Sequence, residues 1–98
     1  MSDTIHDEDV IIKTNKIHKG GISYNYSLSE NKSRKMPSFG LPLYTLKIEM
    51  IDSDGVSTMA MAKDIFRDVD KALCFYDKIV RNLATPIDLA YVVEDEIG

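Results

Sequence analysis

Residues 43–62 read LYTLKIEMIDSDGVSTMAMA, and the fold turns on this stretch. Tyr44, Leu46, Ile48 and Met50 alternate with Thr45, Lys47 and Glu49. That is the two-residue period of a strand with one buried and one wet face. Ser53-Asp54-Gly55 makes a turn, and Val56 to Ala62 resumes an extended pattern. An Asp-Gly pair between two such segments signals a hairpin. A two-residue Asp54-Gly55 turn opposes Met50 to Met59 and Ile48 to Met61. Both pairs are apolar, so turn chemistry and burial agree on that register.

The same period runs upstream. Ile22, Tyr24, Tyr26 and Leu28 share one face, and Ser23, Asn25, Ser27 and Ser29 the other. Val10 to His18 is strand-like, and Lys19-Gly20-Gly21 separates it from Ile22. A three-residue loop over Lys19 to Gly21 would pair Ile12 with Leu28 and Thr14 with Tyr26. A two-residue Gly-Gly loop would oppose Lys13 to Leu28 and Asn15 to Tyr26. Burial favours the three-residue loop. Between the hairpins, residues 31–42 form an irregular loop carrying Lys32, Arg34, Lys35, Pro37, Gly40 and Pro42.

Downstream, the period changes from two to that of a helix. Asp68 is a good N-cap, and Val69, Ala72, Leu73, Tyr76, Ile79, Val80 and Leu83 recur at three- and four-residue steps. Thr85-Pro86 ends this helix, because the residue before a proline avoids helical geometry. A second helix starts there, with Thr85 as cap and Asp88 completing a capping-box variant. Leu89, Val92, Val93 and Ile97 form its apolar stripe. The order strand, strand, strand, strand, helix, helix predicts an α+β fold. The expected architecture is a four-stranded antiparallel meander followed by two helices packed on one face of the sheet. Residues 1–9 read as a flexible acidic arm, and 10–98 as a single domain.

Composition narrows the function. The chain has 98 residues, 44% hydrophobic and 29% charged, which is ordinary for one globular domain. Residues 1–50 hold seven Lys/Arg against six Asp/Glu, and residues 51–98 hold five against ten, so the net charge of −4 sits in the second half. An acidic second half argues against extended contact with nucleic acid. Cys74 is the only cysteine, so no internal disulfide forms. Met1 to Asp9 lacks the basic start and apolar run of a signal peptide, and no apolar stretch approaches a bilayer span. The expectation is a cytoplasmic protein that does not enter a membrane.

Each common catalytic pattern is missing. His6, Asp7, Glu8 and Asp9 could ligate a metal but sit on the acidic arm, without supporting groups. Asp52-Ser53-Asp54-Gly55 lacks the later glycine and glutamate of a calcium loop. Cys74 lies mid-helix, away from the dipole that would lower its pKa, and reads as a small apolar filler. Gly20-Gly21 is not a phosphate loop. Asp64, Asp68 and Asp70 crowd the start of the first helix and read as capping and dipole complements. Met50, Met59 and Met61 read as adaptable core filling. No cofactor or metal site is expected.

Three segments carry a resemblance. Tyr44-Thr45-Leu46-Lys47-Ile48, then Asp64-Ile65-Phe66, then Pro86-Ile87-Asp88-Leu89-Ala90-Tyr91-Val92-Val93-Glu94-Asp95 resemble a family of small proteins of unknown function from anaerobic Gram-positive bacteria. The likeness spans about residues 22–97, and its most specific part is the Pro-x-x-Leu-x-x-Val-Val-Glu-Asp run. The family pattern has a histidine just before that leucine, where this chain has Asp88, so no role of that histidine carries over. The resemblance implies a bacterial cytoplasmic protein and no activity.

These readings lead to a non-enzymatic protein–protein interaction module, its partner an unidentified protein or a second copy. The candidate contacts are Lys32, Arg34, Lys35 and Phe39 in the irregular loop, and Glu94, Asp95 and Glu96 at the end of the last helix. Acids there oppose the helix dipole. The rival is a small-molecule-binding protein or small enzyme using Ser27, Thr45, Lys47 and Glu49 on the polar sheet face. A pocket of several hundred cubic ångströms with convergent polar groups would favour it, and a flat wet face would oppose it. Weak RNA contact through residues 32–35 is a third reading.

Overall fold

The computed structural model describes residues 10–32 and 40–97 of the chain. The expected arm at 1–9 and the loop centre at 33–39 lie outside the described residues. Strands β1 (Val10–Lys19), β2 (Ile22–Lys32), β3 (Pro42–Ile51) and β4 (Ser57–Phe66) precede helices α1 (Val69–Arg81) and α2 (Pro86–Ile97). The four strands form one antiparallel sheet in the order β1-β2-β3-β4. Both helices pack on the same face of this meander, α2 mainly along β4. Asn31 and Lys32 extend β2, and Pro42 opens β3.

The core forms where the alternating apolar residues of the sheet meet the helix stripes. Tyr24, Tyr26 and Leu28 from β2 and Tyr44, Leu46 and Ile48 from β3 are buried against Ala72, Phe75, Tyr76, Ile79 and Leu89. Full burial of an aliphatic side chain such as Leu46 or Ile48 contributes about 1.5–3 kcal/mol. Phe75 belongs to this face although the predicted stripe omits it, whereas Val69 is exposed. Cys74 is exposed, not an apolar filler, because it turns to the helix side opposite the buried Tyr76 and Ile79.

Both hairpins depart from the expected register, in opposite senses. The first closes through Gly20-Gly21 alone, pairing Lys19 with Ile22, Asn15 with Tyr26 and Lys13 with Leu28. Gly20 and Gly21 have φ of 60° and 79°. Positive φ at both central residues defines the turn whose twist matches the strands, and glycine adopts it freely. Turn chemistry therefore prevails over burial. The register slips between Ile11 and Lys13, so the bulge at Ile12 absorbs the mismatch. The polar Asn15 that now faces the helices finds a partner in the Tyr76 hydroxyl, 2.8 Å away.

The second hairpin has a three-residue loop, Ser53 to Gly55, rather than two. The Asp52 N–H donates to the Val56 carbonyl at 3.0 Å, and the Gly55 N–H to the Asp52 carbonyl at 2.9 Å. The Asp52 carboxylate also accepts from the N–H groups of Asp54 and Val56, each at 2.9 Å. Gly55 alone takes positive φ, 84°, as in a turn followed by a bulge. Met50 thus faces Thr58, Ile48 faces Ala60, and Leu46 faces Ala62. Met59 and Met61 move to the open face, 56% and 52% exposed, and are not core filling. The alanines that replace them lie on the helix side, where small residues let α2 approach β4.

Capping follows expectation. Asp68 accepts from the Asp70 N–H at 3.0 Å. The Asp88 carboxylate accepts from the Thr85 N–H at 3.1 Å, and the Thr85 hydroxyl accepts from the Asp88 N–H at 3.3 Å. Helix α1 ends at Arg81, ahead of the stop expected at Thr85-Pro86, because Leu83 adopts φ 53°. The Ala84 N–H donates to the Ile79 carbonyl and the Leu83 N–H to the Val80 carbonyl, both at 3.1 Å. That pattern usually employs glycine at the left-handed position. Leucine is tolerated there because its side chain packs against the core.

Candidate functional site

The open sheet face is built in rows by the two registers. Thr14, Ser27, Lys47 and Met61 form one cross-strand row, and Ile11, Ser29 and Thr45 the next. A concavity of about 420 Å³ lies over them, lined by Ser27, Ser29, Thr45, Lys47 and Lys63, with Ile11 and Met61 at its apolar sides. The face is therefore not flat. Three of the four polar residues proposed from sequence meet in it. The fourth, Glu49, sits one row away and is occupied, accepting from Asn25 Nδ2 at 3.4 Å and from Ser57 Oγ at 3.1 Å.

Lys63 joins this site although sequence reading ended β4 at Ala62. Strand β4 runs on to Phe66 through a bulge, where the register shifts between Tyr44 and Leu46 and Asp64 takes φ 55°. Thr45 holds the bulge: its Oγ accepts from the Asp64 N–H at 3.0 Å and donates to the Asp64 carboxylate at 3.5 Å. An aspartate is among the residues that tolerate such a conformation. The lone signal in the sequence was the loss of alternation at Lys63-Asp64.

A second concavity, about 430 Å³, separates edge strand β4 from α2. Ala60, Ala62, Ile65, Leu89, Ala90 and Val93 line it, and Glu94 stands at its rim. Its lining is mainly apolar, and strand β4 beside it has no neighbour on its outer side among the described residues. An edge strand presents backbone donors and acceptors ready to pair.

The remaining proposed contacts are scattered. Lys32 is exposed at the end of β2, opposite Pro42. Arg34, Lys35 and Phe39 lie outside the described residues, as does the side chain of Glu96. Glu94 and Asp95 are exposed in the last turn of α2, which has no basic residue to complement the dipole.

Beneath the sheet, a polar chain ties the layers together. The Tyr26 hydroxyl donates to the Ala84 carbonyl at 2.9 Å, and burial pushes its pKa up to about 12. Tyr76 lies 3.1 Å from the Tyr26 carbonyl, and burial raises its pKa to about 12 as well. A phenol has one proton, so the Asn15 amide satisfies both bonds when its NH₂ faces Tyr76. Tyr44 is also raised, by burial first and then by its bond to Glu30 at 3.1 Å. These groups stay protonated at neutral pH and hold structure. Among the described residues there is no cluster of three or more metal-ligating side chains, and no helix is long and apolar enough to cross a membrane.

A sheet of four strands with two helices on one face defines an α+β domain, with an open polar face and an apolar groove at one edge. The chain belongs to the family of unknown function DUF6514, whose sequence profile matches residues 8–98. No curated protein and no solved structure matches the chain.

Proposed function

We infer that this domain is a non-enzymatic module of the bacterial cytoplasm that binds a partner protein by accepting an extended segment along β4. The observation that carries this reading is the apolar groove of about 430 Å³ beside an open edge strand. Strand addition draws affinity from main-chain hydrogen bonds and specificity from alternate side chains entering a groove. Glu94 and Asp95, without a nearby basic residue in their turn, favour a segment that carries a lysine or arginine beside its apolar residues. The exposed thiol of Cys74, the chain's one cysteine, suits a reducing compartment. The bacterial source rests on the resemblance of the Pro86 to Asp95 run.

The test is affinity capture from bacterial lysate with the tagged domain, its Ala90→Lys variant and its Glu94→Lys variant, with and without nuclease. Ala90 is exposed and lines the groove, so its lysine variant blocks the groove without disturbing the core. A protein partner retained by the wild type, indifferent to nuclease and lost in both variants supports the reading. Equal recovery by the Ala90→Lys variant refutes it. Recovery only with intact nucleic acid would instead favour RNA contact around Lys32.

A further inference from the structure

The concavity on the open sheet face has a chemistry of its own, independent of the β4 groove. Ser27 and Lys47 are direct cross-strand neighbours, as are Ser29 and Thr45. Neighbours across strands stand about 5 Å apart, and same-face residues along a strand about 7 Å. The Cβ atoms of Ser27, Ser29, Thr45 and Lys47 therefore mark the corners of a patch about 5 by 7 Å, and Lys63 lines the same concavity from β4. Among the described residues, the hydroxyls of Ser27 and Ser29 have no hydrogen-bond partner, and Lys47 and Lys63 have no ion-pair partner.

Lys47 is half-buried, which makes its unpaired charge informative. A half-buried lysine ordinarily pairs with a carboxylate or reaches its head to water. The carboxylate on its own strand, Glu49, is engaged by Asn25 and Ser57. The other nearby acid, Asp64, is exposed at the bulge, its carboxylate 3.5 Å from the Thr45 hydroxyl and not paired with either lysine. Lys47, Lys63 and two free hydroxyl donors thus line one concavity, and no anion among the described residues is paired with either lysine. Ile11 and Met61 give its sides apolar surface.

We propose that this concavity binds a small phosphate monoester, its phosphate held by Lys47, Lys63, Ser27 and Ser29 and its organic part lying against Ile11 and Met61. A tetrahedral dianion supplies three acceptor oxygens and two negative charges, matching two ammoniums and two hydroxyls. A volume of about 420 Å³ is in the range of small-molecule sites. The residues that would hold the phosphate lie on three hydrogen-bonded strands, β2, β3 and β4, rather than on loops.

The test is an NMR titration of the full, isotope-labelled chain with phenyl phosphate, using phenol and inorganic phosphate as companions. Saturable shifts are expected at the amides of Ser27, Ser29, Lys47 and Lys63 with phenyl phosphate, with weaker ones for inorganic phosphate and none for phenol. Lys47→Gln and Lys63→Gln should each weaken binding about tenfold or more, as the loss of one charge-assisted bond requires. Lys71→Gln, on the far side in α1, should leave it unchanged. No saturable shift at these amides up to about 10 mM, the weak end of specific affinity, overturns the proposal. So does equal binding by Lys47→Gln in a variant whose spectrum is otherwise native, or an equal response to phenol.

Discussion

Replacing Tyr26 with phenylalanine removes one hydroxyl and keeps the ring. In the native structure that hydroxyl donates to the Ala84 carbonyl at 2.9 Å. Tyr26 is fully buried and Ala84 is 7% exposed, so water does not readily replace the lost donor. A buried carbonyl left without a partner costs about 1–3 kcal/mol. Tyr76→Phe is the internal comparison. It removes a hydroxyl from the Tyr26 carbonyl, but the Thr14 hydroxyl still donates to that carbonyl at 3.1 Å. Asn15, the other partner of Tyr76, is only half-buried and can turn to water. Its loss should cost about 0.5–1 kcal/mol. Urea unfolding should show both variants with an unchanged slope. With a slope near 1.5 kcal/mol/M, the Tyr26→Phe midpoint falls by about 1 M and the Tyr76→Phe midpoint by about half that. The reasoning is refuted if Tyr76→Phe destabilises as much as Tyr26→Phe, or if Tyr26→Phe is neutral.

The same two tyrosines set an alkaline limit. Their folded pKa values of about 12 lie above the ordinary 10, so the unfolded state loses these protons first as pH rises. Their contribution is whole below pH 10 and is lost between about 10 and 12, and urea midpoints across that range should fall less steeply in Tyr26→Phe. Gly21→Ala should destabilise by about 1–2 kcal/mol, because φ is 79° there, while the added Cβ would make only an ordinary contact with Ser53 at 3.7 Å. A smaller loss for Gly20→Asn, at φ 60°, would confirm that the turn's handedness is responsible. Asp77→Asn removes the negative charge that Lys13 meets at 2.8 Å, and with the two side chains 40% and 53% exposed, thermal unfolding should register under about 1 kcal/mol. Cys74, being exposed, should react fully with a thiol reagent in the native state, and protection until unfolding would contradict the placement of α1.

Sequence alone determined the elements and the fold class. The alternation of Ile22 to Leu28 and of Tyr44 to Met50 names one face of each central strand, and those residues are half-buried or buried in the structure. Asp68, Thr85 and Asp88 mark helix starts by hydrogen bonds that reach only two or three residues, so local sequence suffices. Tertiary structure decided the registers, and through them the site. A slip of one residue turns every side chain on a strand over, and the energies of competing loops differ by little. In the first hairpin, the positive φ of two glycines and a bulge at Ile12 outweighed burial. In the second, the Asp52 carboxylate fixed a longer loop, and Ala60 and Ala62 suited the approach of α2 better than methionines. Lys63 reached the open face only because Thr45 holds a bulge that no periodicity announces. The convergence of Ser27, Ser29, Lys47 and Lys63 joins three strands. Their meeting depends on long-range pairing, which residue spacing within any one strand does not encode.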